Sequence, residues 1–179
     1  NKFFWNMIVT EYSIRDIIKG MPEVLLNATT IVQPKFHWGD RKELNRYLQL
    51  MKGESYPLIW LLPSSENYEG NKSQSLTKEC SFIIATRETR QSFFNNERYI
   101  YSFDVVLTRL TSFLIQGLTS SNITSRIGNN YEVLKLPNFS DDDLEANGTI
   151  DLLDAISLTI NVRFTDNLKN LKPIIYERN

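Results

Sequence analysis

A chain of 179 residues with one cysteine and one histidine has little from which to build metal or redox chemistry. Cys80 cannot close an internal disulfide, and Cys80 with His37 cannot make a zinc cage. Glycine and proline are scarce, at seven and six. They form no linker or repeat, and no glycine opens a helix with a Lys-Ser/Thr pair, so a phosphate-cradling loop is excluded. No sign of charge dominates either. Lys and Arg number 20 against 21 Asp and Glu, a net charge of −1, which disfavours a dedicated binder of nucleic acid or of an anionic membrane. The longest apolar run, Leu58–Leu62, lies between Pro57 and Pro63, far short of the roughly 20 residues a spanning helix needs. Asn1–Val9 is broken by Asn6 and has no small-residue cleavage site after it, so it reads as the start of a helix rather than a leader.

What is present is an ordinary globular composition, 41% apolar and 23% charged, enough for one sizeable core. Met7, Ile14, Ile17, Ile18 and Met21 recur at helical spacing and predict a helix over Phe3–Lys19, ended by Gly20 and Pro22. Val24–Val32 suits a strand or extended arm, and Pro34 separates it from Lys35-Phe36-His37-Trp38. Asp40 and Glu43 stand three apart, the spacing of a capping box, and predict a short helix over Arg41–Met51. Tyr56–Pro63 reads as a strand covered on both faces, Ser64–Ser75 as a surface loop, and Lys78–Thr86 as a strand with Cys80, Phe82 and Ile84 on one face. Tyr99, Phe103, Val106, Leu110, Phe113 and Gly117 make one face of a long helix over Asn96–Gly117. Tyr131–Leu136 and Ile150–Phe164 alternate as strands, and 165–179 is expected to be a C-terminal arm. The predicted class is α+β: a mixed, mostly antiparallel sheet with an N-terminal helix, a short helix and one long helix packed largely on one face.

The pattern offers no convincing catalytic constellation, and the chain is expected not to be an enzyme and to hold no cofactor. His37, between Phe36 and Trp38, reads as packed or partner-facing rather than as a general base, and Cys80 as a buried inert thiol. Five Asn-x-Ser/Thr triplets follow from a composition rich in those residues. One segment, Asp143–Asp154, spaces oxygen side chains as a calcium loop does. Asp at its twelfth position and strand-like flanks favour an acidic turn instead, so a calcium or small-ligand module is the alternative reading. Lys35, Arg41, Lys42 and Arg46 cluster around the short helix while 141–154 is acidic, an asymmetry that suits a head-to-tail subunit contact.

The order of elements, with the His37-Trp38-Gly39-Asp40 turn, the Tyr56-Pro57-Leu58-Ile59 strand, Ile83-Ile84-Ala85, the helix introduced by Asn95-Asn96-Glu97-Arg98 and the final Asp154-Ala155-Ile156-Ser157-Leu158-Thr159 strand, resembles tail terminator and tail-completion proteins of tailed bacteriophages. The likeness covers most of Phe3–Phe164 and implies a single domain over 1–164. It implies a virion structural protein of the tail or neck, assembled in the host cytoplasm into a homo-oligomeric ring, six subunits favoured over twelve. Neighbouring neck or tail proteins are the implied partners, with DNA passing through unbound. On that expectation Trp38, Arg41, Lys42, Phe93 and Phe94 are candidate contact residues, and Asp141, Asp142, Asp143 and Glu145 a candidate channel-facing turn that repels phosphate.

Overall fold

The structure is a computed structural model that describes residues 9–26, 30–50, 56–69, 75–87, 95–139 and 153–165. Helix α1 (Thr10–Lys19) forms because Ile14, Ile17 and Ile18 share a face, which is buried, and it ends where the Gly20 N–H bonds the Ile17 carbonyl at 3.1 Å. The expected single strand or arm over Val24–Val32 is a hairpin instead. Strands β1 (Val24–Leu26) and β2 (Thr30–Val32) pair antiparallel, Leu25 opposite Ile31.

The main sheet contains β3 (Lys35–Trp38), β4 (Leu58–Leu62), β5 (Glu66–Glu69), β6 (Ser75–Arg87), β7 (Thr124–Leu136) and β8 (Leu153–Thr165) in the order β3-β4-β6-β8-β7, with β5 also paired to β6. Only β3 and β4 run parallel, so the sheet is mixed and mostly antiparallel, as the pattern predicted. Strand β5 corrects the expectation of a loop over Ser64–Ser75. Its polar residues pair with β6 beyond the end of β4, and the Ser64 hydroxyl donates to the Glu79 carbonyl at 2.6 Å across the break. Strand β7 likewise starts earlier than expected, with an irregularity between Arg126 and Tyr131 where Gly128 takes φ +70°.

From Asn95 to Ser120 the helical run is continuous: α3 (Asn95–Arg98), a π-helical segment (Tyr99–Leu107) and α4 (Thr108–Ser120). The predicted face of Phe103, Val106, Leu110, Phe113 and Gly117 is buried, while Tyr99 stays exposed. The wider i→i+5 turn also brings Ser102 and Leu107 inward, which an α-period reading misses.

This run and α1 cover one face of the sheet, over Phe82, Ile84, Ile156, Leu158 and Phe164. Helix α2 (Arg41–Leu50) covers the other, with Leu44 and Leu48 against Leu58, Trp60, Ile83 and Ala85. Helices on both faces explain the unbroken apolar character of β4. A buried charge ties α1 to the first of these faces. Lys78, 4% exposed, donates to Thr10 Oγ1 at 3.0 Å and reaches Glu66 Oε1 at 3.1 Å and Glu11 Oε1 at 3.4 Å, tying the start of α1 to β5 and β6.

Candidate functional site

At the β3 end of the sheet, chain direction is set by a capping box. The Asp40 N–H donates to Glu43 Oε2 and the Glu43 N–H to Asp40 Oδ1, each at 2.8 Å, so two first-turn donors are satisfied. Gly39 has φ +151°, and its carbonyl accepts the Trp60 indole N–H at 2.9 Å. A Cβ there would fall 3.0 Å from the Trp60 ring. His37 is half-buried, its ring 4.5 Å from Tyr47 and 6.2 Å from Trp60. Burial first, and Lys35 second, hold it below its ordinary pKa. It packs, as expected.

Trp38 points the other way along the strand and is 43% exposed. Tyr12 meets its ring edge-on at 6.2 Å, Phe36 lies at 5.7 Å, and the Arg15 guanidinium sits 4.8 Å over Tyr12. Arg41 and Lys42 begin α2 two residues past Gly39, exposed, with the Arg41 guanidinium 5.2 Å over Phe139. Trp38 thus lies with Tyr12 and Arg15 on the face that α1 covers, whereas Arg41 and Lys42 begin the helix that covers the opposite face, so the structure does not bring these three candidates into one surface. Phe93, Phe94, Asp141, Asp142, Asp143 and Glu145 lie outside the described residues.

A second surface was not foreseen. Leu25 and Ile31, cross-strand partners on the β1–β2 hairpin, are 37% and 63% exposed and form one wall of a cavity of about 550 Å³. The helical run supplies the opposite wall through Asp104, Arg109 and Phe113, and Glu23 closes one end. Pairing between residues six apart makes this patch, and a linear reading of Val24–Val32 as one strand puts no partner beside Leu25.

The inert groups are where chemistry would have been sought. Cys80 is buried, and burial pushes its thiol up to about 12, as the alternating strand face implied. Asp154, the twelfth position of the calcium pattern, is fully buried. Its Oδ1 accepts the Asn138 N–H at 3.2 Å and lies 3.6 Å from Arg98 Nε, and burial holds the carboxyl above its usual range against the pull of Asn138, Ser102 and Arg98. That carboxylate is committed inside the fold, and the flanks of the loop are strands, not helices. Among the described residues no group of three or more His, Cys, Asp or Glu could hold a metal ion, and no helix is long and apolar enough to cross a membrane.

Comparison with known proteins leaves the class defined by the fold alone, an α+β chain with exposed apolar surfaces. No protein-family model matches the sequence, and no curated protein matches it significantly.

Proposed function

We propose that this chain is a virion structural protein without enzymatic activity, a ring-forming tail terminator, tail-completion or neck component of a tailed bacteriophage. A closed ring needs a heterologous contact, in which each subunit offers two unlike, complementary patches. The observation that supports the reading is a pair of such patches at the two ends of α1, which is about 15 Å long. One is aromatic with a basic member, built from Tyr12, Trp38 and Arg15. The other is aliphatic and carries two carboxylates, with Leu25 and Ile31 beside Glu23 and Asp104, offset by Arg109. Six copies joined patch to patch are the favoured assembly, with neighbouring neck or tail proteins above and below and DNA passing through the opening unbound.

The test is the mass of the purified protein in native mass spectrometry. The proposal expects a closed oligomer of six subunits, or of twelve, that dissociates when Trp38→Ser is combined with Ile31→Ser. A monomer at micromolar concentration, or an oligomer indifferent to both substitutions, would overturn it.

A further inference from the structure

The third exposed apolar surface is the outer edge of β7. This strand is the last of the sheet, and no described residue pairs with its outer side. Its register against β8 sets its two faces. Tyr131, Val133 and Lys135 stand opposite Ile160, Leu158 and Ile156 and share the helix-covered face, while Glu132, Leu134 and Leu136 share the other. The helical run reaches Lys135 but leaves much of the strand uncovered, and Tyr131, Val133 and Leu134 are 46%, 42% and 53% exposed. An edge with exposed Tyr, Val and Leu and no internal proline can template another strand, provided that the partner matches its charged positions, Glu132 and Lys135.

We propose that β7 pairs antiparallel with β7 of a second copy about a two-fold axis at Val133, extending the sheet across both chains. A two-fold perpendicular to the sheet keeps each residue on its face, so only registers pairing residues of like parity are open. Charge chooses among them. The register centred on Glu132 opposes two carboxylates, and the one centred on Leu134 sets Lys135 against Val133. Centring on Val133 places each Lys135 opposite the partner's Tyr131 and each Glu132 opposite the partner's Leu134. The ammonium is already held among rings within one chain, 4.9 Å from Tyr99 and 5.5 Å from Phe103, and in the pair gains a third aromatic face. Val133 meets its own copy between the two cation–ring contacts.

This pairing does not rest on the ring reading. An assembly using both contacts has an even number of subunits, and two rings of six joined through β7 give twelve.

The test is disulfide trapping in the full chain. Directly opposite residues of an antiparallel pair have Cα atoms about 4.5–5.5 Å apart, within disulfide reach. In the stated register the two Leu134 positions are offset by two residues and lie more than about 8 Å apart. Cys80 is buried and stays silent. Oxidised Val133→Cys is expected to run as a covalent dimer on a non-reducing gel and Leu134→Cys as a monomer. Failure of Val133→Cys to cross-link, or equal cross-linking of both variants, overturns the proposal. A covalent dimer with no larger species in native mass spectrometry supports the pairing and sinks the ring, whereas a ring whose Val133→Cys variant stays uncross-linked does the reverse.

Discussion

The two edges of the sheet are built in opposite ways. Strand β3 is short, and side chains pack on both of its faces: His37 against Tyr47 and Trp60 on one, Trp38 against Tyr12 and Phe36 on the other, with the capping box following Gly39. Strand β7 is long, and from Ser125 onward its side chains are largely exposed on both faces. One edge has its faces finished within the chain, and among the described residues the other leaves apolar side chains exposed. A fold can leave strand donors and acceptors beside exposed Val, Leu and Tyr only where water or another chain completes them. The contrast separates residues whose loss damages the monomer from those whose loss damages assembly.

The largest effect is expected at the finished edge. Trp60 is buried and donates to Gly39 O at 2.9 Å, so Trp60→Ala removes core volume and a buried hydrogen bond together. A loss of roughly 4 kcal/mol in urea unfolding is expected. A loss below about 1 kcal/mol would mean that the β3 edge is not held by this cluster. Asp40→Ala, which opens the capping box, should cost about 1 kcal/mol in the same assay.

Acid should weaken the same edge before it touches β7. His37 is held below its ordinary value of 6.5, so between that value and its folded pKa the unfolded chain binds the extra proton. The stability this contributes is present above about pH 6.5 and is lost as pH falls through it toward the folded pKa. Glu66 acts later. Burial pushes its carboxyl up, but bonds from Thr10 and Lys78, the Lys78 charge and Tyr68 outweigh it, so it sits below the ordinary 4.5. Its contribution is present above that value and is lost as pH falls through the lowered folded pKa. Unfolding midpoints of wild type and His37→Gln between pH 8 and 5 should converge as pH falls. Parallel curves would contradict the assignment.

The smallest effect on the single chain is expected at the open edge. Leu134→Ser should change monomer stability by no more than about 0.5 kcal/mol, yet weaken any β7-mediated association measured by sedimentation. A large loss of monomer stability would mean that Leu134 belongs to the core.

Features carried by neighbours in sequence were legible in advance. Asp40 and Glu43 are three apart, and their mutual bonds were predicted from that spacing alone. Leu58–Leu62 read as a doubly covered strand because every position is apolar, and Ile156, Leu158, Ile160, Val162 and Phe164 read as a strand from period two. What pairing decides was not legible. Glu66-Asn67-Tyr68-Glu69 has no apolar pattern, and it is a strand because β6 extends past β4 and presents Lys78 opposite Glu66. Leu25 and Ile31 form a patch only through their cross-strand register. Of the candidate contact residues, Trp38, Arg41 and Lys42 were legible as aromatic and basic positions at a strand end and a helix start. The exposure of β7 was not, since Tyr131–Leu136 alternates like a strand whether or not a helix reaches it.

Amide hydrogen exchange across β7 measured against protein concentration reports whether the outward backbone groups of that edge find partners in a second copy. Amides within Tyr131–Leu136 are expected to slow as concentration rises from nanomolar to tens of micromolar, while those of the buried Leu58–Leu61 exchange at a constant rate. Exchange in Tyr131–Leu136 that is independent of concentration over that range would contradict the β7 pairing.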